Sequence, residues 1–66
     1  MTKEEVQGVQ PGLYRVHLKN GCTLMAAIGI NRTGGRWMAA TQWTGVVGID
    51  EDGQPFWEHI DKVKKL

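Results

Sequence analysis

The sequence predicts a small all-β domain built as a five-stranded antiparallel barrel, and three observations support this fold class. Residues 13–18, 22–30 and 36–43 alternate between apolar and polar side chains, which is typical of β-strands. Turn-forming residues separate these segments, and Asn20 with Gly21 is a strong hairpin signal because both tolerate positive φ. Small residues within the second segment favour a bend, and a long bent strand is how a short chain closes a barrel.

The later part of the chain predicts shorter elements. Residues 31–35 contain two glycines and are predicted to be a looser turn before the third strand. A fourth short strand is predicted at residues 46–49, and residues 50–53 are predicted to be a turn. That turn resembles the start of a calcium loop, which also needs a bidentate glutamate near position twelve, where this chain has Asp61. We therefore predict a turn and no metal site.

The alternation gives each predicted strand an apolar and a polar face. In the first strand Tyr14, Val16 and Leu18 share one face, whereas Arg15 and His17 lie on the other. Joining the apolar faces of successive strands predicts a core. It consists of Tyr14, Val16, Leu18, Leu24, Ile28, Trp37, Val47 and Ile60.

The two ends of the chain are less regular. Residues 1–11 form a polar segment, predicted to make one or two helical turns or to remain frayed, ahead of a single domain at residues 12–66. At the C-terminus, apolar residues from Phe56 onward recur at helical spacing after Pro55, which favours a short helix. The alternative is a hairpin arm, a turn and an edge strand that ends at Leu66. We favour the strand, because a closed five-stranded barrel leaves no exposed edge.

Size and composition set limits on stability and cofactors. A chain of 66 residues makes one domain with a thin core, and such domains usually depend on disulfides, a metal or a partner subunit. Cys22 is the only cysteine, so no disulfide forms within the chain. His17, Cys22 and His59 are too dispersed to suggest a metal site. We therefore predict no cofactor, and either a homo-oligomer or a protein partner.

The expected location is the cytoplasm. Residues 1–5 contain no apolar run, which predicts that there is no signal peptide. The longest apolar stretch, residues 24–30, is too short to cross a bilayer, so no membrane partner is expected. A single cysteine also fits a reducing compartment.

No group of residues predicts catalysis. His17 and His59 are the only side chains that ordinarily titrate near neutral pH, and no serine, cysteine or carboxylate stands at a spacing that suggests a triad. The net charge of +1 excludes a strongly basic nucleic-acid binder, but the charges are segregated and permit a local basic patch. We therefore predict a non-catalytic binding module.

Aromatic and basic residues indicate the candidate surface. Trp37, Trp43 and Trp57 either fill the small core or form a recognition platform, and both alternatives stay open. Arg32 and Arg36 flank Trp37, and cations beside an aromatic ring suit nucleic acid, since cations hold phosphates and rings stack on bases. A protein-interaction adaptor anchored by the same tryptophans is the alternative. The predicted binding residues are Arg15, His17, Lys19, Asn20, Arg32, Arg36, Trp37, Trp43, Lys62 and Lys64.

Residues 16–28 resemble the first motif of the Sm-like RNA-binding family, in which two strands flank an Asn-Gly turn and a leucine follows three residues after the glycine. The matching residues are Asn20, Gly21, Leu24 and Ile28. Residues 57–63 are similar to the second motif. The resemblance implies a small barrel that assembles into a ring and binds RNA near Asn20 and His59. A generic SH3-like barrel fits the same pattern, and many such barrels bind protein.

Overall fold

Five antiparallel strands form one sheet in the computed structural model, which describes residues 1–66. The strands lie in the spatial order β4-β3-β2-β1-β5. The elements are α1 (Lys3–Gln7), β1 (Gly12–Leu18), β2 (Thr23–Ile30), β3 (Arg36–Ala40), β4 (Val47–Gly48), a 3-10 helix (Phe56–His59) and β5 (Ile60–Lys65). The all-β class with five antiparallel strands is therefore confirmed.

The sheet is open, and in this respect the predicted barrel needs correction. β4 and β5 lie at opposite edges and do not pair with each other. β4 has only two residues, after which the chain leaves the sheet, so it offers too short an edge to close on β5. Val6 of α1 and Ile49, each 1% exposed, cover the core instead. A helix and a loop therefore protect the interior that a closed barrel would enclose.

The β1–β2 and β2–β3 hairpin loops have the same conformation. The N–H of Gly21 donates to the carbonyl of Leu18 at 3.1 Å, and the N–H of Gly34 donates to the carbonyl of Asn31 at 3.1 Å. Gly21 and Gly34 have φ of 93° and 87°, and no other residue type in the chain has positive φ. This is the pattern of a three-residue hairpin loop that ends in a left-handed glycine. The first turn thus uses the freedom of Gly21, whereas Asn20 keeps an ordinary φ.

The third strand is shorter than predicted. It ends at Ala40, and the N–H of Trp43 donates to the carbonyl of Ala40 at 3.0 Å, which turns the chain. Trp37 and Trp43 therefore do not share a strand, and their spacing does not put them on one face.

The core lies on one face of the sheet. Its nine buried residues are Val6, Tyr14, Val16, Ala26, Ile28, Met38, Ala40, Ile49 and Ile60. Four predicted core residues are among them, and Leu18 and Leu24 pack against them while partly exposed. The prediction for Trp37 was wrong, because Met38 occupies the core face and its neighbour Trp37 points away from it.

The ends of the chain are both ordered. α1 begins with a capping box in which Thr2 and Glu5 each bind the other's backbone N–H. The Nζ of Lys3 lies 2.6 Å from a carboxylate oxygen of Asp52. At the other end, the strand prediction is confirmed by β5, with a single 3-10 turn before it. No helix of the structure has the length and apolar character needed to span a bilayer.

Candidate binding face of the sheet

The sheet has a second face that no other element of the chain covers. Directly paired residues of an antiparallel sheet lie on the same side, so the strand register identifies the side chains of this outer face. They are Leu13, Arg15, His17, Thr23, Met25, Ala27, Gly29, Trp37, Ala39, Gly48, Lys62 and Lys64. The outer face divides into a cationic half on β1 and β5 and an apolar half on β2 and β3.

The cationic half consists of two cross-strand pairs. Arg15 lies opposite Lys64, and His17 lies opposite Lys62. The pairing of β1 with β5 therefore brings the residues of the cationic half next to each other. The Nδ1 of His17 also lies 3.3 Å from the hydroxyl of Thr23. Arg15, Lys62 and Lys64 have no ion-pair partner, because the only salt bridge of the chain joins α1 to the turn at residues 50–53.

One acidic residue lies close to this half. Asp61 stands at the register shift between β1 and β5, where Leu18 pairs with Ile60 and His17 pairs with Lys62. Its carboxylate is exposed and forms no ion pair. The remaining outer-face positions of β1 and β5 are neutral or basic, so the patch keeps a net positive charge.

The apolar half is built around Trp37. Its pairing partner on β2 is Gly29, and a Cβ placed at Gly29 would overlap the indole ring. The ring therefore lies over the backbone of β2. Met25 of β2 belongs to this half and is 48% exposed, and Leu13, at its border on β1, is 62% exposed. Sequence patterning did not select these two residues as part of a binding surface.

Arg36 has a structural role that sequence patterning missed. Its guanidinium donates to the carbonyl of Val9 at 3.0 Å, to that of Gly34 at 2.9 Å and to that of Gln7. Its backbone N–H donates to a carboxylate oxygen of Asp50 at 3.0 Å. Because it occupies the core-face side of β3, its donors are directed to the chain itself. The parity of Met38 and Ala40 would have indicated that side.

The other predicted binding residues lie away from the outer face. Lys19 and Asn20 lie in the β1–β2 loop, where the side chain of Asn20 accepts the N–H of Cys22 at 2.9 Å. Arg32 lies in the β2–β3 loop at the opposite end of the sheet. The ring of Trp43 packs against Phe56 with centroids 5.9 Å apart. Half of the ten predicted residues thus lie on the outer face, namely Arg15, His17, Trp37, Lys62 and Lys64.

Two small cavities flank the contact between Phe56 and His59, whose ring centroids are 5.8 Å apart. One is about 170 Å³ and is also lined by Val47. The other is about 190 Å³ and is also lined by Lys19 and Asn20. The β1–β2 loop therefore borders a cavity at the end of the sheet, separate from the outer face.

Two pKa shifts belong to residues of α1. The hydrogen bond to Asp52 raises the pKa of Lys3, and hydrogen bonds with Thr2 lower the pKa of Glu5. Lys3 is partly exposed and Glu5 is exposed, and the two serve the attachment and the capping of the helix. No three side chains among the histidines, cysteine and carboxylates lie close enough together to hold a metal ion.

The chain matches no protein-family model, no curated protein and no solved structure. The outer face is therefore the basis for assigning a function.

Proposed function

We propose that this protein is a non-catalytic module that binds single-stranded nucleic acid, RNA foremost, on the outer face of its sheet. The observation that carries the proposal is the cross-strand pair of Arg15 and Lys64. Like charges directly opposite each other destabilise a sheet, and neither of these cations has an acidic partner. A chain of phosphates laid along β1 and β5 neutralises both charges at once.

Trp37 supplies the second element of the proposed site. Aromatic rings on a sheet bind bases by stacking, and this contribution is insensitive to base identity. Cations hold the backbone while the ring holds a base, which is the division of labour expected of single-strand binders. Because the net charge is only +1, the attraction is local and the affinity modest.

A protein partner is the second candidate, and the exposure of Leu13 and Met25 favours it. These side chains are 62% and 48% exposed and lie on the same face of the sheet as Trp37. Contiguous exposed apolar surface marks protein contacts in many small domains. Another protein, or a second copy of this chain, would bury this apolar half and leave the cations at the rim, where charges contribute little affinity.

Salt dependence separates the two candidates. Labelled single-stranded RNA and DNA are titrated with the protein at about 50 and 200 mM salt. Neutralisation of about three phosphates predicts a log–log slope near −2, so affinity falls about 20-fold over that range. An affinity for nucleic acid that does not change with salt concentration favours the protein partner. The absence of any binding at low salt, together with co-purification of a cellular protein, favours it as well.

A matched pair of variants tests the location of the site. Arg15→Gln removes one cation from the outer face, whereas Arg32→Gln removes one from the β2–β3 loop. We expect the first variant to weaken RNA binding and to make the salt slope shallower by about 0.7. The second changes the total charge equally and should retain the original slope. Equal effects of the two variants would contradict the proposed location.

A further inference from the structure

Trp37 lies between two glycines on the outer face. Gly29 of β2 and Gly48 of β4 are its direct partners on either side. The indole ring occupies the space over Gly29, and a Cβ placed at Gly48 would overlap the carboxylate of Glu51. The Glu51 side chain therefore lies over Gly48. The ring and the carboxylate thus lie along one row of the sheet, over the two strands that flank β3.

The Glu51 carboxylate is available to a ligand. Glu51 is exposed, and its backbone is held by an antiparallel bridge to Gln54 in the turn. The carboxylate has no ion-pair partner in the chain. An ionised carboxylate only accepts hydrogen bonds, and its two oxygens can accept two donors in parallel. It also repels phosphate, so the backbone of a bound strand must run on the cationic side of the outer face.

We propose that Trp37 and Glu51 form a base-recognition site that prefers guanine in a single strand. This inference rests on the proposed nucleic-acid function. With a base stacked on Trp37 and extending across β3 toward β4, its Watson–Crick edge is free to meet a side chain of the same row. Guanine presents two adjacent donors there, N1–H and the 2-amino group, which match both oxygens of Glu51. Adenine, cytosine and uracil each present one donor next to an acceptor that the carboxylate disfavours.

The separation of the two halves sets the length of the ligand. Trp37 and Arg15 are two strands apart across the sheet and, measured on β2 from Gly29 to Met25, four residues apart along it. Strand geometry makes this roughly 16 Å. One nucleotide therefore stacks on Trp37 while the phosphates of other nucleotides reach the cations. The intervening positions, Ala27 and Ala39, are small and leave the path across the sheet open.

The test compares base identity within one short host strand. Labelled oligouridylate of about six nucleotides carries guanosine, inosine, adenosine or uridine at one central position. We expect guanosine to bind roughly five- to tenfold more tightly than uridine, since bidentate base contacts discriminate at least that well. Inosine, which lacks the 2-amino group, should fall between the two. Fluorescence polarisation gives all four affinities under identical salt conditions.

Two isosteric variants assign the preference to Glu51. Glu51→Gln should bind the uridine host more tightly, because a negative charge is removed, and should lose most of the preference for guanosine. Glu58→Gln makes the same charge change on the 3-10 helix and should leave the guanosine-to-uridine ratio unchanged. Equal, salt-dependent binding of all four strands would overturn the guanine site and leave the proposed function intact. No binding by any strand at low salt would overturn both.

Discussion

The Nε of Arg36 donates a hydrogen bond to the backbone carbonyl of Val9 at 3.0 Å, and this bond joins β3 to the segment that follows α1. The same guanidinium also binds the carbonyls of Gln7 and Gly34. One side chain thus satisfies three acceptors on two separate parts of the chain. We call these three hydrogen bonds of Arg36 the clamp. Val6 precedes Gln7 and Val9 in the chain and is 1% exposed, so the clamp holds α1 where it covers the core.

Removal of this clamp should destabilise the fold. Arg36→Ala leaves three carbonyls without their charged donor, and we expect the free energy of unfolding to fall by about 2 kcal/mol. Arg32→Ala removes an exposed arginine from the neighbouring loop and should change stability by less than about 0.5 kcal/mol. Urea denaturation measures both variants. If Arg36→Ala unfolds at the wild-type midpoint, the clamp is not structural.

The contact between the Trp37 ring and Gly29 leaves no room for a side chain at position 29, so a larger residue there should destabilise the fold. Gly29→Ala forces the new methyl group against the indole ring, and overpacking of this kind costs about 1–3 kcal/mol. We also expect the tryptophan fluorescence to change, because the ring must move. Gly45→Ala adds a methyl group where no atom lies within 4 Å. An unchanged stability and spectrum in Gly29→Ala would show that Trp37 does not lie over β2.

A pair of methionines tests which face of the sheet is the core. Met38 is 0% exposed and lies in the core cluster, whereas Met25 is 48% exposed on the outer face. Met38→Ala should cost about 2–5 kcal/mol, as large-to-small core substitutions do. Met25→Ala should be nearly neutral for stability. Thermal unfolding of the two variants gives the comparison, and similar losses in both would mean that the outer face is covered in solution.

Capping of α1 should contribute a pH-dependent part of the stability. Hydrogen bonds from Thr2 lower the pKa of Glu5 below its ordinary value of 4.5. A carboxyl whose pKa is lower in the folded state stabilises the fold when ionised. That contribution is complete above pH 4.5 and is lost as the pH falls through the folded-state pKa. Glu5→Gln should therefore flatten the acid side of the stability profile.

NMR titration of the Glu5 side chain checks the same point directly. We expect its midpoint to lie below 4.5 in the wild type. In Thr2→Ala the hydroxyl is lost and the backbone N–H remains, so the midpoint should rise part of the way toward the ordinary value of 4.5. A wild-type midpoint at or above 4.5 would contradict the capping box.

Strand patterning predicted the sheet well because alternation and turn glycines are local properties. Tyr14, Val16 and Ile28 fall on the core face as their parity requires. The same parity put Arg15 and His17 on the side that the structure leaves exposed, where the pairing of β1 with β5 places Lys62 and Lys64 beside them. These features need only the register of neighbouring strands.

Features that depend on distant parts of the chain could not be predicted in the same way. Arg36 resembles any cation beside an aromatic residue until the carbonyls of Gln7 and Val9 are brought to it by folding. Trp37 was assigned to the core with the face of the third strand that carries the tryptophans, whereas Met38 on the opposite face is the residue that fills the interior. The prediction of a closed barrel was also wrong, because the length of β4 depends on where the chain leaves the sheet. Local patterning does not specify that point.

Pairing of β1 with β5 has a further consequence for the coupling of binding to folding. Arg15 and Lys64 are neighbours only when the end of the chain has joined a strand formed near its beginning. An unfolded or partly folded chain therefore lacks the cationic half, and a ligand that bridges these two residues selects the native state. Such a ligand should raise the unfolding midpoint in proportion to the logarithm of its concentration. The pairing of the C-terminal strand would thus make the stability of the fold responsive to the supply of ligand.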